Sequence, residues 1–304
     1  MNKHLKILEA AKAAEASVTG KLGFSFYDLQ TGDACYLHEE EMFPTASVYK
    51  VFILAELYRQ VSEGLVDLSA MIRSPVDRIA MGSGILCKLT PGIQLSVRDM
   101  ATLMMVLSDN VATDVLFNLV GRDNILNHVI LPLGLKGTKA DYDCSDMREV
   151  YYHVDITLPR EEQRLQARRG IFRNAAEWTC QTEKGNCTTP KDMTVMYKAL
   201  YDGTWVNRQI SDEMLQIMRP DPARISKYLP SNVTVSRKSG SMDRVVNDTG
   251  IVYTPKGAYI ITMFYNGNTA SEAEYKAEER RLLGEKLLED LSKKVYDIFM
   301  DDAI

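Results

Sequence analysis

The sequence predicts a two-lobed α+β protein whose sheet is assembled from both ends of the chain. Three observations predict it. Short strand-like runs stand near the N-terminus, helical periodicity fills the middle, and strand patterning returns before a closing helix.

Residues 1–19 open the chain as an amphipathic helix, with Leu5, Leu8 and Ala11 among Lys and Glu. Residues 23–29 and 34–37 read as strands joined by the turn Gln30-Thr31-Gly32-Asp33. Residues 48–61 form a mostly apolar helix, which predicts burial on nearly all sides, and 97–107 is again apolar almost all round. Residues 111–120 place Val111, Ala112, Val115, Leu116, Leu119 and Val120 on one helix face. Further helices are expected at 193–201 and 211–218. The period then changes. Residues 234–238, 246–253 and 258–265 are rich in β-branched and aromatic side chains and separated by Gly, Asp and Pro, as in an antiparallel meander. A long helix over 271–300 closes the chain, with Leu283, Leu287, Leu288, Leu291, Val295 and Phe299 on one face. The expected lobes are 1–45 with 220–304 for the sheet and 46–219 for the helices.

Composition narrows the function. The 304 residues are 45% hydrophobic and 25% charged, as in an ordinary globular protein. A net charge of −5 argues against nucleic acid or an anionic membrane as partner. The basic run from Arg164 to Arg169 reads as a solvated helix face. No apolar run is long enough to span a bilayer; the densest, 51–57, is broken by Glu56. The first helix lacks the unbroken apolar core of a secretory signal, so the chain as it stands reads as cytoplasmic, or as exported if a leader has been removed. Cys35, Cys87, Cys144, Cys180 and Cys187 lack metal-ligand spacing and read as free buried thiols. None of the four histidines has a familiar catalytic setting, so a nucleophile here needs another kind of base.

Such a base is suggested by Phe43-Pro44-Thr45-Ala46-Ser47-Val48-Tyr49-Lys50. Ser47 stands at a helix start, where developing negative charge is favoured, and Lys50 lies one turn on. A buried lysine with a lowered pKa can take the serine's proton. Ser108-Asp109-Asn110 falls between two helical segments, and Lys238-Ser239-Gly240 ends a predicted strand. Each motif alone has an ordinary reading as a cap or a turn. In this order and setting they make the three-part signature of the serine penicillin-recognising enzymes.

The chain resembles the class A β-lactamases over nearly its whole length. The likeness extends to Gly82-Ser83-Gly84-Ile85-Leu86, Leu89-Thr90-Pro91-Gly92, Thr188-Thr189-Pro190 and Val246-Asn247-Asp248. It implies an antiparallel five-stranded sheet flanked by helices plus an all-helical lobe. It also implies Ser47 as nucleophile, Lys50 as its base and Ser108 as proton relay to the leaving nitrogen. The backbone N–H groups of Ser47 and Ser241 would form the oxyanion hole. Asn110, Ser239, Gly240 and Ser241 would line the substrate, with Lys238 holding its carboxylate and lowering the Lys50 pKa. Arg244 fits either a carboxylate contact or a turn. No cofactor or metal is implied, and the partner is a small β-lactam, amide or ester met by a monomer.

One element departs from the family. Its Glu-x-x-x-Asn, which positions the water that cleaves the acyl-enzyme, has no match within 138–190. None of Glu149, Glu161, Glu162, Glu177 and Glu183 has Asn four residues on. Ungapped counting puts Cys144 near the glutamate position. The segment is also enlarged, and Val154, Leu158, Leu165, Phe172 and Trp178 give it apolar surface to pack. Asp143, Asp146 and Glu177 are candidate substitute bases. Three activities therefore stay open: β-lactam hydrolysis, ester or amide hydrolysis on another substrate, and penicillin binding with slow deacylation.

Overall fold

The computed structural model describes residues 2–76, 82–152, 154–155, 157–169, 185–219, 224–242, 244–267 and 277–301. The chain divides into two compact units, Met1–Val48 with Thr188–Ile304, and Tyr49–Cys187.

The first unit is built on an antiparallel sheet of order β2-β1-β9-β8-β7. Its strands are β1 (Lys21–Asp28), β2 (Ala34–Leu37), β7 (Thr234–Met242), β8 (Val245–Thr254) and β9 (Gly257–Asn266). Two-residue strands β3 (Phe43–Pro44) and β6 (Cys187–Thr188) lie between them in sequence, with β4 (Met71–Arg73) and β5 (Gln94–Ser96), which pair with each other. The meander pairs along its whole length, Ser239 facing Asp248 and Gly240 facing Asn247. β1 closes against β9, with Phe24 opposite Met263.

Strand side chains alternate faces. Leu22, Phe24, Phe26, Val246, Val252, Tyr259, Ile261 and Met263 enter one core, under α1 (Lys3–Ala16) and the closing helix, Ala277–Met300. The buried stripe of α1 is Ile7, Ala10 and Ala11; Leu5, expected to be inward, is exposed. Leu283 of the closing helix is likewise exposed, while Leu287, Leu288, Leu291, Val295 and Phe299 are buried. The opposite face carries hydrogen bonds from Thr194 Oγ1 to Ser25 Oγ and from Tyr197 Oη to the Thr249 carbonyl. Both come from the helix Pro190–Asp202, which Thr189 caps through the Asp192 N–H and Pro190 begins.

A 3₁₀ turn, Ala46–Tyr49, runs directly into α2 (Lys50–Ser62), the first helix of the second unit. The α-helix thus starts at Lys50, two residues later than the apolar pattern predicts. α2 is buried almost throughout, Glu56 included, whose carboxylate accepts from Arg59 and Gln60. Around it stand α3 (Val97–Val106) and α4 (Asn110–Val120). On α4 the buried residues are Val111, Ala112, Thr113, Asp114, Leu116, Phe117 and Val120, while Leu119 is exposed. The inward face is therefore rotated toward Thr113 and Asp114, because their polar groups are satisfied inside. A one-turn helix α5 (Arg122–Asn124) leads into a π turn, and the enlarged segment supplies α6 (Cys144–Tyr152) and α7 (Arg160–Arg169), the last containing the basic run.

Candidate active site

Ser47 is half-buried in a turn that is held largely from outside. Ala46, just before it, has φ 46°, a left-handed conformation costing a non-glycine residue roughly 1–3 kcal/mol. The sheet holds the turn. Asn247 Nδ2 donates to the Pro44 carbonyl at 2.7 Å and to that of Thr45 at 3.0 Å. The Val48 N–H also reaches the Thr45 carbonyl, at 3.0 Å. Beside Asn247 the backbone of Gly240 approaches so closely that a Cβ there would lie 2.7 Å from the Ser47 nitrogen and 2.7 Å from the Thr45 oxygen.

That approach corrects the sequence reading of Lys238-Ser239-Gly240 as a strand end. The motif lies inside β7, which continues to Met242. Gly240 is needed for contact with the serine turn rather than for a change of direction. The chain reverses later, at Arg244, which is buried with φ 60°. β7 is an edge strand of its sheet. The Arg237 N–H points away from β8 to the Met218 carbonyl, so by the two-residue period the N–H groups of Ser239 and Ser241 point outward too. Lys238 is buried and its Nζ donates to the Ser239 carbonyl at 2.9 Å, while the Ser241 side chain is exposed.

In the second unit Lys50 is fully buried. Its Nζ donates to the Ser108 carbonyl at 2.7 Å, to Asn110 Oδ1 at 3.0 Å and to Ser108 Oγ at 3.1 Å. Those are three acceptors for the three N–H bonds of an ammonium group. Burial holds the Lys50 pKa below its ordinary value, while Cys144, Asp114 and Asp109 pull the other way. Ser108 is fixed at φ 52°, and Asp109 explains how such a turn is kept. Its buried carboxylate accepts from the N–H groups of Val111 and Ala112 as the cap of α4, and from those of Ile85 and Leu86. The segment 82–86 is thereby latched to the Ser-Asp-Asn turn, and the Asn110 N–H answers by donating to the Ser83 carbonyl.

A second cluster adjoins Lys50, and the sequence showed only its cysteine. Cys144 is buried, with Sγ 3.2 Å from Tyr49 Oη. Burial pushes its thiol up to about 12 and the Tyr49 phenol well above its usual value. Asp114 Oδ1 accepts from the Cys144 N–H at 2.7 Å, and Oδ2 accepts from Ser145 Oγ at 2.7 Å. Burial, with the nearby charge of Asp143, raises the Asp114 carboxyl to about 7. Asp114 was missed because a single acid on an apolar helix reads as a surface residue. The available signal was its position four residues after Asn110, one turn along the same face.

Of the candidate bases, Asp143 is buried and Asp146 half-buried, with the Asp146 N–H donating to Asp143 Oδ1 at 2.7 Å. Glu161 and Glu162 are exposed on α7. Glu177, Glu183, Phe172 and Trp178 lie outside the described residues; Val154 is buried and Leu165 exposed. The expectation of free thiols holds for Cys35, Cys87 and Cys144 and fails for Cys187, which is in a disulfide. Spacing alone could not show that pairing. Among the described residues no helix is long and apolar enough to cross a membrane.

An α+β fold with a helix-start serine, a buried lysine bound to a Ser-Asp-Asn turn and a strand-borne Lys-Ser-Gly defines the class of serine β-lactamase-like hydrolases. Residues 6–299 match the Beta-lactamase2 profile, described as the β-lactamase enzyme family, and the chain belongs to that family. It is 21% identical to β-lactamase VEB-1 of Pseudomonas aeruginosa over 99% of this chain and 91% of that protein. The β-lactamase of Sphaerobacter thermophilus DSM 20745 superposes with a TM-score of 0.75 at 25% identity, over 96% of this chain and 95% of that one. PBP-A superposes at 0.73 with 23% identity, over 96% of each chain. A variant of PBP-A is known as its acyl-enzyme complex with penicillin G.

Proposed function

We propose that this hydrolase opens the amide bond of a β-lactam by acylation on Ser47. The observation that carries the reading is the Lys50 ammonium, buried and bound to Ser108 and Asn110, with burial lowering its pKa. The lowered pKa gives access to the neutral Lys50 amine, and Ser47 Oγ attacks the carbonyl carbon as its proton passes to that amine. The C–O bond forms, the ring C–N bond breaks, and Ser108 hands its proton to the leaving nitrogen and takes one back from Lys50, which returns to the amine. The N–H groups of Ser47 and Ser241 stabilise the oxyanion, the interaction usually worth most in acyl transfer. Lys238 and Ser239 hold the substrate carboxylate, and Asn110 binds its side-chain amide.

Water then attacks the ester, the Ser47–acyl bond breaks and Ser47 regains its proton. This release is the slow step. The Cys144 thiol beside Lys50 stays protonated at neutral pH and cannot serve as base, and loss of base assistance costs about 10²- to 10⁴-fold. The test is intact-mass spectrometry after a penicillin pulse. An adduct that is absent in Ser47→Ala and decays to product supports the reading; no adduct overturns it. The named groups come from a single chain, consistent with action as a monomer on a small molecule. The Cys187 disulfide favours an oxidising compartment. Labelling of Cys187 in freshly isolated protein without reductant would contradict that placement.

A further inference from the structure

We propose that Asp114 and Asp143, two buried carboxylates converging on the first turn of α6, are positioning residues that set when Lys50 gives up its proton. The inference rests on the acylation chemistry above and adds the groups that govern its pH dependence.

The geometry is specific to this cluster. Asp114 reaches from α4 to bind the N–H of Cys144, the N–H of Ser145 at 3.3 Å and the Ser145 hydroxyl. Asp143 immediately precedes that turn and accepts from the Asp146 N–H. Both are buried, at 6% and 2% exposure, too little for water to keep two adjoining negative charges apart. The titratable groups facing Asp114 are Asp143 just before α6, Cys144 on it, and Lys50 and Tyr49 at the start of α2; Asp109, heading α4, also acts on Lys50. Cys144 and Tyr49 stay neutral at working pH, so the pair supplies the charge that varies. Burial first, and the charge of Asp143 second, hold the Asp114 proton until the pH passes about 7. Below that pH Asp114 is neutral and adds nothing to the hold of Asp109 on the Lys50 ammonium. Above it Asp114 is an anion that makes the ammonium harder to deprotonate.

The two carboxylates therefore give opposite signatures. Asp114→Asn keeps an acceptor for the Cys144 N–H but carries no charge. Its acylation rate should match the parent below pH 6 and exceed it above pH 7.5, by about threefold or more. Asp143→Asn keeps the α6 cap but removes the charge that, after burial, does most to hold the Asp114 proton. Its acylation should be slower than the parent by a similar factor between pH 5 and 7, and equal to it above pH 8. A purely structural role would lower the rate by the same factor at every pH. The experiment is stopped-flow acylation with nitrocefin from pH 5 to 9, with intact-mass confirmation of the Ser47 adduct and circular dichroism of each variant. Parallel profiles for parent and both variants overturn this inference. Absence of any adduct on the parent overturns the acylation reading instead. If one variant does not fold, the other decides alone, since each predicts a divergence in its own pH window.

Discussion

Replacing Gly240 by Ala should cripple acylation while leaving the protein folded. The added Cβ would lie 2.7 Å from the Ser47 nitrogen, 2.7 Å from the Thr45 oxygen and 3.0 Å from the Ala46 Cβ. Ordinary contact needs about 3.5 Å, so something must move by more than half an ångström. The strand is pinned by its pairing with β8, and the turn is tied to Asn247 through the Pro44 and Thr45 carbonyls. Retreat of the turn stretches those two buried hydrogen bonds. Overpacking of this kind costs about 1–3 kcal/mol, affordable for a chain of this size. The kinetic effect is larger, because a nucleophile displaced by about 1 Å loses roughly 10²-fold in rate. The assay is the single-turnover acylation rate with nitrocefin, paired with a urea melt. A loss of 30-fold or more with a modest shift in midpoint is expected. Acylation within threefold of the parent would refute the claim that Gly240 positions Ser47.

Three further outcomes are expected. Asp109→Ala strips the acceptor from four backbone N–H groups, those of Ile85, Leu86, Val111 and Ala112. It should cost on the order of 3 kcal/mol or more in urea unfolding, and a loss under 1 kcal/mol would contradict the latch. Arg237→Met leaves the Asp248 carboxylate buried without its 2.8 Å guanidinium partner and should cost about 3–5 kcal/mol; Arg237→Met/Asp248→Leu should recover much of it. The folded Asp114 carboxyl, near 7, sits above its unfolded value of 3.8. Its contribution to stability is full below pH 4 and lost as pH rises through 7. The Tm of the parent should therefore fall relative to that of Asp114→Asn between pH 4 and 7.5, and a constant difference would refute the assigned direction.

Much of this molecule was legible in its sequence, for physical reasons. Ser47, Lys50, Ser108, Asn110 and Lys238 stand in short motifs whose spacing survives without knowledge of tertiary contacts. The sheet was legible because β8 and β9 carry β-branched and aromatic residues between turn residues. What the sequence hid depends on partners distant in the chain. The inward face of α4 was misjudged at Leu119 and Asp114 because period alone ranks leucine above aspartate. The donors at Cys144 and Ser145 that satisfy Asp114 stand 30 and 31 residues away. Gly240 read as a strand end for the same reason. Only the approach of the Ser47 turn explains a glycine in mid-strand.

The bonds from Asn247 to the serine turn bridge 203 and 202 positions of the chain. During synthesis at about 5–20 residues per second, Ser47 emerges long before the residue that will hold it. Formation of the sheet that links them is a high-contact-order event, which slows folding. A fragment ending at Met242 would contain all three signature motifs yet lack Asn247, β8 and β9. Acylating power should thus appear only after the last fifth of the chain has been made and has folded.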